Sequence, residues 1–197
     1  MADGGDPVPP DLPIQGAKPC CVSFNADISQ ITAQVLLAAL VARVSEGFDE
    51  VHLLMNTPGG DVSQGISLYN AIRALPVRVV TYNMGSVDSI GNVVFQAGDY
   101  RVCAHQSSFM FHGVITDLRG SLDLKQLQEQ TRGIENGQSL IADVMVNRTS
   151  RPRDEITALF SQMAFLKADE AVESGVADEV RDIHLPRGLP ITPLVFQ

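Results

Sequence analysis

Two rhythms of apolar residues alternate along the first half of the chain. Short apolar-rich runs at residues 20–24, 51–55 and 77–83 read as strands, and 51–55 is unbroken enough to be buried on both faces. Between them lie longer segments with apolar residues three or four apart. Asp27 can cap a helix over residues 28–45, with Ile28, Ile31, Val35, Leu36, Val41 and Val44 near one face and Gly47 at its end. A second helix over 62–75, with Val62, Ile66, Tyr69 and Ile72 in register, is stopped by Pro76. A tight turn is expected at Met84-Gly85, then a short helical pattern containing Val93, Val94 and Ala97. Strand, helix, strand, helix, strand, helix is the order of right-handed βαβ units around a mostly parallel sheet.

The second half begins with short strands at 100–103 and 108–111 and a loop at 114–120. Residues 121–148 predict a long helix carrying Leu122, Leu124, Leu127, Ile134, Leu140, Ile141, Val144 and Met145. Gly133 and Gly137 each weaken it by about 1 kcal/mol relative to alanine. Such a helix suits a docking arm or a kinked packing helix. Pro152 breaks it, Asp154 caps a short helix to about Gln162, and 165–166 is a short strand. Asp169 caps one helical turn that Gly175 ends. Residues 1–19, rich in Pro, Gly and Asp without an apolar period, predict a flexible arm. The 185–197 tail, with Pro186, Pro190 and Pro193, predicts an extended segment. One domain, 20–184, remains.

Composition narrows the function. The net charge is 14 − 23 = −9, which disfavours nucleic acid and anionic membrane as partners. Three cysteines, Cys20, Cys21 and Cys103, lack CxxC spacing, so neither a disulfide framework nor a zinc site is expected. The start, MADGGDPVPP, lacks the basic flank and apolar stretch of a signal peptide, and the apolar run 35–44 is too short to span a bilayer. The expectation is a reduced, soluble, cytoplasmic protein.

Two turns carry candidate chemistry. Ser89 stands between a strand and a short helix, where a serine hydroxyl is exposed beside unpaired backbone N–H groups. The same pattern is also that of an ordinary helix cap. Asn56-Thr57-Pro58-Gly59-Gly60-Asp61 follows a strand, at the carboxyl edge where open α/β sheets bind ligands. Its glycines allow a close backbone approach, which suits half of an oxyanion hole with the Ile90 N–H as the other half, or simply a tight loop. His112 ends a strand between Phe111 and Gly113, placed to face a cleft; His52, His105 and His184 read as structural or surface histidines.

Taken in order, residues 56–62 (NTPGGDV), 84–91 (MGSVDSIG), Ala97-Gly98, Met110-Phe111-His112 and 165–178 (FLKADEAVESGVAD) resemble the proteolytic subunit of the Clp protease, ClpP. The resemblance covers roughly residues 20–183. It implies a ClpP/crotonase-like ββα spiral, an α/β fold, with residues 121–148 as a projecting helical handle. It implies a serine endopeptidase with Ser89 as nucleophile, His112 as general base, and Gly60 and Ile90 as oxyanion-hole donors. It needs no cofactor and no metal. The implied partners are polypeptide substrates, further copies of the chain in a ring-shaped homo-oligomer, and an AAA+ ATPase.

Three departures modify this. Met163 stands where the family's third triad member, an aspartate, is expected, and cannot accept a hydrogen bond as a carboxylate does. Asp117 and Asn92 are the candidates to replace it; Asp88, beside Ser89, points elsewhere. Ser161 and Gln162 replace an acidic–arginine pair associated with ring stacking, and the N-terminal arm lacks the apolar pattern of the family's axial loop, which weakens the ATPase expectation. The alternatives are a non-catalytic ring subunit, a crotonase-like acyl-CoA enzyme, and a viral capsid-maturation protease of Clp type.

Overall fold

A computed structural model describes residues 16–118 and 120–196. The flexible arm expected at residues 1–19 therefore falls mostly outside the described residues. The strands are β1 (Pro19–Asn25), β2 (Glu50–Thr57), β3 (Arg78–Asp88), β4 (Tyr100–Cys103), β5 (Ser108–Met110), β6 (Phe165–Lys167), β7 (Glu179–Val180) and β8 (Ile191–Pro193). The helices are α1 (Gln30–Ser45), α2 (Val62–Arg73), α3 (Gly91–Phe95), α4 (Leu124–Thr149), α5 (Arg153–Ser161) and α6 (Ala168–Glu173).

One sheet runs β6-β5-β3-β2-β1-β8, with β4 bridging β3 and β7. Its pairings are parallel except β5 with β6. Successive strand residues face opposite sides, so the sheet has two apolar faces. Val79, Leu53, Val22 and Phe24 join the main core with Leu36, Leu68, Val94 and Ala171 from the helices. Val80, Tyr82 and Val102 form a smaller cluster with Leu54, Tyr100 and Ile183. Phe95–Phe109 and Phe111–Phe160 meet edge to face at 5.1 and 5.6 Å, which pins α3 and α5 to β5 and its extension.

Several expectations are corrected. α1 is capped by Ser29, not Asp27. Ser29 and Thr32 form a reciprocal capping box, and the Asp27 carbonyl accepts from Thr32 Oγ1 at 2.7 Å. Its buried residues are Thr32, Ala33, Leu36 and Leu40, while Ile31 is 71% exposed and Val35 and Val41 are also exposed. Apolar residues surround most of α1, so periodicity could not select its inner face. Met84-Gly85 is not a turn. β3 continues through it, helped by Asn56 Oδ1 accepting the Ser86 N–H at 2.9 Å. β3 then exchanges β4 for β5 as its partner, pairing Ser86–Asp88 with Ser108–Met110.

α4 starts at a capping box of Asp123 and Gln126, later than expected, and its first half is largely exposed, Leu124 and Leu127 included. Its buried residues begin at Gly137. The cap of α5 is Pro152, with Asp154 inside the first turn, and Asp169 likewise lies inside the first turn of α6. Part of the tail is not free. Residues 191–193 pair with Cys21, Val22 and Ser23 of β1, and Phe196 packs edge-on against Phe24.

Candidate active site

Three strand ends converge. β2 delivers the Thr57–Gly60 turn, β3 delivers Ser89, and β5 delivers His112 two residues past its end. Gly59 and Gly60 have φ of 85° and 147°, which glycine adopts without a β-carbon clash. The Ile28 N–H donates to the Gly59 carbonyl at 2.7 Å and the Asp61 N–H donates to the Ile28 carbonyl at 2.7 Å. These bonds fix Gly60 between them, and a β-carbon there would collide with the Ile28 carbonyl. The Asp61 carboxylate then caps α2 through the Gln64 N–H at 3.0 Å. Hydrogen bonds from Ser63 and Gln64 hold its pKa below the ordinary aspartate value.

Ser89 has φ of 55°, a sparsely populated region for a non-glycine residue. Its N–H donates to the Met110 carbonyl at 2.8 Å, which ties the turn to β5. Ser89, His112 and Gly60 line one cleft of about 250 Å³, walled by Pro58, Val62, Val114, Ile115, Ile141 and Phe160. Among the described residues neither the Gly60 nor the Ile90 N–H is spent on an internal acceptor. His112 Nδ1 is 2.7 Å from the Gly113 carbonyl oxygen. A carbonyl only accepts, so Nδ1 carries the hydrogen, and in the neutral imidazole this tautomer leaves the lone pair on Nε2. Among the described residues no hydrogen bond joins Ser89 Oγ to the imidazole.

The candidates for a third member lie elsewhere. Asp117 is exposed on the loop and absent from the cleft wall. Asn92 is fully buried, and its amide donates to the carbonyls of Ser89 at 2.9 Å and Met110 at 2.8 Å. Asp88 accepts from Ser86 Oγ at 2.6 Å. Met163 has φ of 52° and is 59% exposed. It occupies the left-handed position after the cap of α5, where the Ala164 N–H returns to the Leu159 carbonyl at 3.2 Å, as in a Schellman turn. Sequence reasoning missed the Gly113 carbonyl because every residue carries one, and missed Ile141 and Phe160 because they come from α4 and α5.

Other nucleophiles are poorly placed. Cys20, Cys21 and Cys103 are buried, and burial pushes their thiols up to about 11, 12 and 12. No group of three or more metal-ligating side chains occurs among the described residues, and no described helix is long and apolar enough to cross a membrane.

Beneath the site, Arg148 at the end of α4 donates to the carbonyls of Gln96 at 2.9 Å and Gly98 at 2.6 Å, closing the C-terminal end of α3. Arg101 pairs with Asp178 through Nε at 2.9 Å and Nη2 at 2.6 Å. It also bonds the side chain of Gln96 and the carbonyls of Arg148 and Gly175.

The family model for Clp protease matches residues 17–184. Among solved structures, a mutant of ClpP1 from Listeria monocytogenes superposes with a TM-score of 0.75 at 19% identity, covering 83% of this chain and 91% of that one. The fold is therefore the ClpP/crotonase-like α/β architecture that the sequence motifs implied.

Proposed function

The chain belongs to the Clp protease family, and from that premise we propose that it is a serine endopeptidase whose nucleophile is Ser89 and whose general base is His112. The observation that carries this reading is that both side chains open onto one cleft, with Ser89 held at φ of 55° and His112 Nε2 left as an acceptor. Ser89 Oγ attacks the peptide carbonyl as His112 Nε2 takes its proton. The N–H groups of Gly60 and Ile90 receive the oxyanion. The imidazolium returns its proton to the leaving amine, and water then releases the acyl group by the same steps.

The Gly113 carbonyl fixes the imidazole tautomer but brings no negative charge to offset the imidazolium. Met163, in the place of the family's aspartate, faces solvent. The enzyme is accordingly slow. A serine protease of another fold that loses the charge of its triad acid loses about 10⁴ in kcat, which sets the scale. The site works inside a ring of identical chains assembled through the exposed leucines of α4, which a monomer leaves in water. AAA+ docking remains the weaker part of the reading, for want of the axial-loop pattern.

Hydrolysis of a fluorogenic peptide by the parent and by Ser89→Ala tests the peptidase reading. Loss of turnover in a variant that still assembles supports it, and equal turnover removes it. A second reading, a ring subunit that shapes the chamber without cleaving, is favoured by the outward Met163 and would leave the parent itself inactive. Sedimentation at micromolar concentration tests the ring, and a species of 21.2 kDa alone would contradict it.

A further inference from the structure

We propose that Asn92 is a positioning residue whose side-chain amide holds the nucleophile turn against the strand that carries His112. The proposal rests on the reading of Ser89 and His112 as the reacting pair. Met110 ends β5, two residues before His112. Its carbonyl oxygen accepts from the Ser89 N–H at 2.8 Å and from Asn92 Nδ2 at 2.8 Å. The same Nδ2 donates to the Ser89 carbonyl at 2.9 Å, and the Asn92 backbone N–H donates there at 3.1 Å. Both backbone groups of Ser89 are thus tied, directly or through Asn92, to one carbonyl on the histidine strand.

The chemistry of the side chain is selective. Two carbonyl acceptors require two N–H hydrogens on one short arm. A hydroxyl supplies one hydrogen, a carboxylate none, and glutamine is a methylene too long for a fully buried position. Asn92 Oδ1 is buried and has no hydrogen-bond partner. A buried unpaired acceptor is unfavourable, so an apolar residue would serve packing better at this position. The amide is retained for its two donors. They oppose relaxation of Ser89 out of its left-handed conformation and fix how far Oγ stands from the imidazole. Among the described residues no hydrogen bond joins Asn92 to His112. Asn92 acts on the distance between the reacting groups and leaves the basicity of the imidazole alone.

The test uses the full chain with Asn92→Leu, which keeps the branched heavy-atom shape in a somewhat larger side chain and loses both donors, and Asn92→Ala, which loses them without adding bulk. Two readouts are taken: steady-state hydrolysis of a fluorogenic peptide across pH, and hydrogen exchange of the Ser89 amide. In folded variants kcat is expected to fall about 10- to 100-fold, as for a displacement near 1 Å, with KM little changed. The midpoint of the acid limb should stay where the parent has it, and the Ser89 amide should exchange faster while β2 amides do not. Parental kcat in Asn92→Leu, a displaced acid limb, or an unchanged Ser89 exchange rate would overturn the proposal. Should the parent turn over no faster than Ser89→Ala, the peptidase reading fails by itself, and Ser89 exchange still decides the role of Asn92. A Ser89 amide as unprotected as an exposed loop in the parent would overturn it without any variant.

Discussion

Gly59 lies directly against Ser89: a β-carbon on Gly59 would stand 2.7 Å from Ser89 Cβ and 2.7 Å from the Asp88 carbonyl oxygen. The two turns that make the site are therefore in backbone contact. Neither has room for a substituent. Gly59→Ala adds a methyl at φ of 85° and pushes on the serine. It should destabilise the fold by about 1–3 kcal/mol. Ester hydrolysis per folded molecule should also drop, because the clash is relieved most readily by moving Ser89. Thermal unfolding and steady-state rates measured on the same preparation check both effects.

Met163 offers a test of what its position does. Its left-handed conformation at the end of α5 favours glycine, so Met163→Gly should raise stability by about 0.5–1 kcal/mol in a denaturant melt. Met163→Asp should leave kcat close to the parental value. The side chain there faces solvent, and His112 Nδ1 already donates to Gly113. A large gain in kcat for Met163→Asp would mean that the end of α5 turns inward during catalysis.

The pair of buried Arg101 and partly solvent-exposed Asp178 joins β4 to the segment after α6. Asp178→Ala leaves the guanidinium in a protein interior without its carboxylate. Solvent reaches the carboxylate, and Arg101 keeps Gln96 and two carbonyls as acceptors, so the loss should cost about 1–3 kcal/mol, read from urea unfolding midpoints at constant slope.

His52 gives the pH prediction. It is almost wholly buried, with Nδ1 2.8 Å from the Tyr82 hydroxyl and Nε2 2.9 Å from Glu50 Oε1, and Glu50 also pairs with Arg78 at 2.8 Å. Burial lowers its pKa more than the Glu50 carboxylate raises it, and Arg78 and Arg181 lower it further. The unfolded chain then takes up this proton near the ordinary histidine pKa of about 6.5, and the folded chain only at lower pH. Between those values the unfolded state binds more protons, so stability rises with pH. The contribution is complete above the unfolded pKa and is lost as pH falls toward the folded one. Tm should decline on acidification below about pH 6.5, and His52→Gln should flatten that part of the curve.

Much of the fold was legible because alternating strand and helix periods dictate a parallel sheet. The inner face of α1 was not, since its apolar residues surround the helix. The continuation of β3 through Met84-Gly85 was hidden because Gly85 reads locally as a turn, whereas distant contacts with Asn56 and β5 extend the strand. At the site, Ser89, His112 and Gly60 stood out by their places at strand ends. The partner of the imidazole did not, because it is a backbone carbonyl. Asn92 stood out as an amide near the serine, but only the bonds to Ser89 and Met110 distinguish a clamp on the turn from a partner of histidine.

If Ser89 is a nucleophile served by His112, a fluorophosphonate should modify it covalently, and intact-mass analysis reads that directly. One adduct is expected on Ser89 and none in Ser89→Ala. Labelling should be slower in His112→Ala and at pH values where the imidazole is protonated. A parent chain left unmodified, or a Ser89→Ala chain labelled as well as the parent, would refute the assignment.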